Sequence, residues 1–137
     1  MHITIDGFGG NSAQLSDQEL VRNLLDRYPD EIGMTKISEP HVFEYHGVKE
    51  DDWGVSGFVL IAESHIAVHT FPEHGQVWVD IFSCKGFEET PAIDRIVEAF
   101  GLRSTRINRL ERGLEYPHDV DASIPLNRQE RREVTPV

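Results

Sequence analysis

The sequence predicts an α+β fold, an antiparallel β-sheet with helices on one face, and three observations carry that expectation. Two segments place apolar residues at helical spacing, and six others are rich in Val, Ile, Phe and Thr, many of them separated by turn residues. One of the six, Val77-Trp78-Val79-Asp80-Ile81-Phe82, puts Val77, Val79 and Ile81 on one face and Trp78, Asp80 and Phe82 on the other. Two helices cannot cover both faces of such a sheet. One face is therefore expected to meet a partner, most economically a second copy of the chain.

The first helix is expected to begin at the capping-box sequence Ser16-Asp17-Gln18-Glu19. It carries Leu20, Val21, Leu24, Leu25 and Tyr28 on one stripe until Pro29, which is expected to end it. The second is expected to start with Thr90 as N-cap and Pro91 at the first helical position, to carry Ile93, Ile96, Val97 and Phe100, and to stop at Gly101. Strands are expected at residues 2–5, about 35–45, 57–62, 65–70, 77–83 and about 103–110. After Tyr116-Pro117 the composition turns polar, and Arg128-Gln129-Glu130-Arg131-Arg132-Glu133 has no apolar stripe. A polar tail is expected from about 119.

A chain of 137 residues fits one domain, and its 39% hydrophobic and 27% charged residues are those of an ordinary globular fold. Met1 is followed at once by the strand-like His2-Ile3-Thr4-Ile5, and no apolar run reaches the roughly 18–20 residues of a membrane span. A cytoplasmic protein without membrane contact is expected. Asp and Glu number 24 against 13 Lys and Arg, a formal net charge of −11, which disfavours nucleic acid and tolerates a cationic small substrate. Cys84 is the single cysteine, so it is either an inert thiol or a reactive one.

The chemistry-bearing residues crowd into Gly54–Cys84: Ser56, Glu63, Ser64, His65, His69, Glu73, His74 and Cys84. A metal site formed by His65, His69, His74 and Glu73 is one reading of them. On a strand, however, His65 and His69 share a face about 13 Å apart, too far for one ion, and no metal is expected. A Ser-His-acid hydrolase with Ser64 as nucleophile is another, but the flanks lack the Gly-x-Ser-x-Gly elbow. Gly7-Phe8-Gly9-Gly10 lacks the full glycine fingerprint of a phosphate loop and reads better as a tight turn.

The run Leu60-Ile61-Ala62-Glu63-Ser64-His65-Ile66-Ala67-Val68-His69-Thr70-Phe71-Pro72-Glu73, with Val79-Asp80-Ile81-Phe82-Ser83-Cys84 after it and Gly54-Val55-Ser56-Gly57 before it, closely resembles the signature of the prokaryotic S-adenosylmethionine decarboxylases. The resemblance covers about a quarter of the chain. It implies a proenzyme in which Ser64 attacks the carbonyl of Glu63 and becomes a pyruvoyl group, giving a β chain of 1–63 and an α chain of 64–137. It also implies an αββα sandwich formed by two copies.

Each residue type suits the role the resemblance gives it. The Ser64 oxygen acts as nucleophile and, once acylated, as leaving group. His69 is the expected processing base and Ser56 its supporting hydroxyl. The pyruvoyl ketone derived from Ser64 is expected to form a Schiff base with the substrate amine and to act as electron sink. Cys84 matches the proton donor, and a thiol with an ordinary pKa near 8.5 is mostly protonated at pH 7. Phe71 and Glu73 fall where the family places a substrate-contacting aromatic and a carboxylate for ribose hydroxyls. His65 is given no catalytic role. Ser64 and His69 lie five residues apart, up to about 17 Å if extended, so the chain must bend or fold back for them to touch.

The first half departs from the family pattern. Tyr45-His46-Gly47-Val48-Lys49-Glu50-Asp51-Asp52-Trp53 is longer and more acidic than the stretch that helps to form the adenine pocket, and Trp53, Tyr45 or Phe43 is expected to replace the aromatic there. The expected substrate is S-adenosylmethionine, for spermidine synthesis. Arginine or ornithine is the alternative, with Glu50-Asp51-Asp52 meeting a cationic side chain. A non-catalytic relative is a third reading, which the intact Ser64, His69 and Cys84 oppose.

Overall fold

In the computed structural model, which describes residues 1–113 and Glu115, six strands form one sheet. The strands are β1 (His2–Phe8), β2 (His41–His46), β3 (Trp53–Ile61), β4 (Ser64–Phe71), β5 (Gln76–Ser83) and β6 (Ser104–Leu110). Their order is β2-β3-β4-β5-β1-β6, and every neighbouring pair is antiparallel. The tail expected from about 119 lies outside the described residues. Among the described residues, no helix is long and apolar enough to cross a membrane.

Alternation decides the faces, as expected. Ile3, Ile5, Val55, Val59, Ile61, Ile66, Val68, Val77, Val79 and Ile81 are buried in one cluster with the helices. Burying such a side chain is worth about 1.5–3 kcal/mol, so a one-residue slip that turned a whole row to water is strongly disfavoured. The opposite face carries Phe43, Tyr45, Phe58, Leu60 and Trp78, all exposed. Helices therefore cover one face and leave an apolar one open.

The covering helices are α1 (Ser12–Leu15), α2 (Gln18–Glu31) and α3 (Glu89–Phe100). Asp17, rather than Ser16, caps α2, because its carboxylate accepts from the amides of Glu19 and Leu20. Ser16 instead ends α1, a turn not expected from the sequence, with its hydroxyl donating to the Ser12 carbonyl. Pro29 does not stop α2. It stands in the last turn, where it removes only one backbone donor, and the end is closed by the Met34 amide on the Pro29 carbonyl at 2.8 Å. Thr90 and Pro91 stand within the first turn of α3 and not at its start, since Glu88 is the cap and first-turn residues need no amide partner. Gly101 ends α3 in the left-handed region, as expected.

The strand expected over about 35–45 is divided. Lys36 bridges to Ile61 and the Ile37 amide bonds to the Leu60 carbonyl, but Pro40 has no donor for the ladder, and β2 begins only at His41. The Gly7–Gly10 segment does turn. Gly9 has φ +69° and the Gly10 amide donates to the Gly75 carbonyl at 2.8 Å.

Tyr28 joins the two long helices: fully buried, its hydroxyl donates to the Ala92 carbonyl at 2.5 Å. Burial, with the nearby Glu31 carboxylate, pushes its pKa far above the ordinary tyrosine value, against a smaller opposing effect of Arg95. The neutral form is thus favoured in the folded state, and stability is full below the unfolded tyrosine's pKa of about 10 and is lost as pH rises beyond it. Tyr28→Phe should cost about 1 kcal/mol at pH 7 by denaturant titration and should weaken the fall in stability above about pH 10.

Candidate active site

Two groups of residues emerge, at opposite ends of the β3–β4 hairpin. At one end Ser56 and His69 are direct cross-strand partners, and His69 Nδ1 lies 2.9 Å from Ser56 Oγ. Thr70 secures this end from beneath. Its buried Oγ1 accepts from the Val55 amide at 2.9 Å and donates to the Leu15 carbonyl at 2.7 Å. A Cβ on Gly54 would come within 1.8 Å of the Thr70 carbonyl oxygen, so only glycine allows the two strands to approach so closely here.

Around Ser56 and His69 opens a cleft of about 260 Å³, lined also by Tyr45, Asp52, Trp53 and Phe71. It continues into a shallower groove past Asp51, His74 and Trp78. Glu73 stands in a single 3₁₀ turn, Pro72–His74, and its Oε1 accepts from Trp53 Nε1 at 3.2 Å. Phe71 packs on Trp78 with ring centroids 4.3 Å apart. Trp53 and Phe71 share this cleft with His69, and Glu73 joins them through its bond to Trp53. Tyr45, one of the alternatives to Trp53, shares the wall.

At the other end, two residues, Ala62 and Glu63, connect β3 to β4, and Ser64 opens β4 opposite Ile61 and Ser83. The carbonyl of Glu63 accepts the backbone N–H of Cys84 at 3.0 Å. The Glu63 carboxylate accepts the Thr35 amide at 3.1 and 3.2 Å, while the Ala62 amide donates to the Thr35 carbonyl at 2.8 Å. The peptide before Ser64 is therefore held from two sides.

The structure does not bring Ser64 and His69 together within one chain. β4 runs unbroken between them, paired with β3 and β5, so five residues separate them by about 17 Å. The bend expected from the sequence is absent because both neighbouring ladders keep β4 extended.

The three histidines of the metal reading also part company. His65 Nδ1 contacts Ser64 Oγ at 3.1 Å and its ring meets Phe82, His69 bonds to Ser56, and His74 lies 3.3 Å from Asp51. Among the described residues, no three His, Cys, Asp or Glu side chains form a group able to hold a metal ion.

Comparison with known proteins then decides the family. The S-adenosylmethionine decarboxylase family profile matches residues 1–113. The chain belongs to the S-adenosylmethionine decarboxylase family. It is 32% identical to the S-adenosylmethionine decarboxylase proenzyme of Picrophilus torridus over 126 residues, covering 91% of this chain and 92% of the relative. It is 34% identical to that of Archaeoglobus fulgidus over 114 residues, covering 82% and 96%. The crystal structure of the adenosylmethionine decarboxylase from Aquifex aeolicus superposes with a TM-score of 0.70 at 32% identity, covering 82% of this chain and 89% of that one.

Sequence reasoning missed three neighbours of the candidate residues: the Cys84 and Thr35 amides, which bind Glu63, and Trp78, which packs on Phe71. Backbone donors leave no mark in a side-chain pattern. Trp78 was visible as an outward residue of β5, but its place beside Phe71 needs the cross-strand register. Thr70→Val tests the support beneath the family's His-Thr-Phe-Pro-Glu run: it leaves the buried Val55 amide unpaired and should cost about 1–3 kcal/mol by denaturant titration.

Proposed function

We propose that this protein is a self-processing S-adenosylmethionine decarboxylase whose working unit is a sheet-to-sheet dimer. The observation that carries the reading is the Cys84 N–H on the carbonyl of Glu63, immediately before Ser64, in a chain of this family. A donor on that oxygen polarises the carbonyl that the Ser64 hydroxyl must attack and stabilises the negative charge that develops there.

In the proposed processing, Ser64 Oγ bonds to the Glu63 carbonyl carbon and the Glu63–Ser64 C–N bond breaks, turning the peptide into an ester. A base removes the Cα proton of Ser64, the Cβ–Oγ bond breaks, and the main-chain carbonyl of Glu63 leaves as the α-carboxylate that ends the first fragment. The resulting dehydroalanine tautomerises to an imine, and water hydrolyses it to a pyruvoyl ketone with release of ammonia. The fragments are residues 1–63 and 64–137. Residues 63, 64 and 84 suit such a group, because the scissile carbonyl already has a donor and the only thiol stands next to that donor.

His69 and Ser56 are the proposed base and supporting hydroxyl, and their distance from Ser64 in one chain supports a composite site. They face the uncovered apolar side of the sheet, where a second copy running the opposite way would pack about 10 Å off. The dyad of one copy then serves Ser64 of the other at the open end of β4. There Ser64 pairs with core-facing Ile61 and Ser83 but is only half-buried, and its Oγ meets the ring of His65, a residue of the uncovered face.

When formed, the pyruvoyl group supplies an electron sink for loss of CO₂. Cys84 holds the proton returned to the product. Tyr45, Trp53, Phe71 and Trp78 give the cleft flat apolar walls suited to an adenine ring, and Glu73 offers an acceptor for ribose hydroxyls. These walls favour an adenosyl substrate over arginine or ornithine, and Asp51 and Asp52 suit its sulfonium charge.

Wild-type chain should separate into its two fragments on a denaturing gel, whereas Ser64→Ala should remain whole. Cys84→Ala should still cleave but release labelled CO₂ from S-adenosylmethionine about 100-fold or more slowly, the usual weight of a general acid. Faster release from arginine or ornithine than from S-adenosylmethionine would overturn the substrate assignment. Co-expressed Ser64→Ala and His69→Ala chains test the composite site. Each alone should stay whole, but in a mixed dimer the His69→Ala copy should be cleaved by its partner's intact dyad.

A further inference from the structure

Ser83 is fully buried at the end of β5, and its hydroxyl meets Lys85 in both directions, with Met34 Sδ as a further, longer contact at 3.4 Å. Its Oγ donates to the Lys85 carbonyl at 2.7 Å and accepts from the Lys85 amide at 3.0 Å. These two bonds step over Cys84 and close a tight turn with Cys84 at its apex. From that apex the Cys84 amide reaches the Glu63 carbonyl at 3.0 Å. Across the ladder, Ser83 is the register partner of Ser64. The Lys85 ammonium extends the hold by donating to the Gly33 carbonyl at 3.0 Å, just before Thr35, whose amide binds the Glu63 carboxylate.

We propose that Ser83 is a positioning residue that, by closing the turn over Cys84, aims the Cys84 amide at the scissile carbonyl and sets the place of the Cys84 thiol. The proposal rests on the reading that the chain cleaves before Ser64 and uses Cys84 as proton donor. The same hydroxyl then governs two steps separated in time: cleavage through the Cys84 backbone and turnover through its side chain. Without the hydroxyl, both bonds to Lys85 are lost, and a turn with an unconstrained apex no longer holds its N–H on one oxygen. A serine that only filled the core would influence stability and neither rate.

The full chain is made by cell-free synthesis and its cleavage followed by mass spectrometry. Ser83→Ala should slow cleavage by about tenfold, the rate equivalent of one hydrogen bond at roughly 1.4 kcal/mol. Ser83→Thr, which keeps the hydroxyl, should return to within about threefold of the parent. Lys85→Ala, which removes the ammonium bond to Gly33 but keeps the backbone groups that Ser83 grips, should slow cleavage less than Ser83→Ala does. Once cleaved, Ser83→Ala should show a lower kcat with an unchanged KM. Val79→Ala, a core truncation on the same strand, controls for stability and should cleave at the parental rate. Should the threonine variant fail to fold, Lys85→Pro removes the N–H that Ser83 accepts and should slow cleavage as the alanine variant does. A folded Ser83→Ala chain with parental cleavage and kcat, or Val79→Ala slowed equally, would overturn the proposal. A parent chain that never cleaves would instead sink the reading beneath it.

Discussion

The register of β3 against β4 is the constraint on which both ends of the site depend. Ser56 opposite His69 and Ile61 opposite Ser64 follow from one alignment, and a shift of one residue would change both pairs together. The core enforces that alignment, because Val55, Val59, Ile61, Ile66 and Val68 can all be buried at once only in this phase. Thr70 adds a directional restraint that apolar packing cannot supply, with one bond to β3 and one to α1. Hydrophobic burial thus sets which face each residue joins, and a few buried hydrogen bonds set its position.

The two ends of the hairpin are built differently. Near Ser56 and His69, side chains meet on an open sheet face with aromatic neighbours, the construction of a place that receives a ligand. At Glu63 and Ser64, backbone groups from three segments converge: Thr35 after α2, the hairpin tip itself, and Cys84 after β5. Backbone donors have little freedom to move away, which suits a peptide that has to be held for a reaction within the chain. Both constructions belong to one domain, yet the intervening strand keeps them about 17 Å apart. Under the proposed function, that separation would give the uncovered face, with Phe43, Phe58, Leu60 and Trp78, a chemical reason to meet a second copy.

Much of this was legible in the sequence. Alternation in β5, the helical stripes and Gly101 gave class, layers and most boundaries, and the run around Ser64 pointed to the family. The errors have local causes. Ser16 and Asp17 are both good caps, and only the competing bond from Ser16 to Ser12 decides between them. Pro29 reads as a stop unless one knows that Met34 and Gly33 complete the turn beyond it. At the site, Phe71 and Glu73 stood at motif positions and Trp53 was one of three candidate aromatics, whereas the distance between Ser64 and His69 required knowing that two ladders hold β4 straight. No side-chain pattern could announce the amides of Thr35 and Cys84.

The strand order has a further consequence. Residues 1–63 contribute β1, α1, α2, β2 and β3, and residues 64–137 contribute β4, β5, α3 and β6. The first group is not contiguous in the sheet, because β1 lies between β5 and β6 while β3 lies against β4. A chain severed before Ser64 would therefore consist of two interlocked pieces joined along three ladders. Each piece keeps only one two-stranded ladder, β2 with β3 or β4 with β5, and separating them means dismantling the fold. Assembly from pre-cut pieces would face the converse difficulty, since one strand has to be inserted between two others in an encounter between separate molecules. Folding as one chain and cutting afterwards avoids that encounter, and the ladders then do the work of the lost covalent bond.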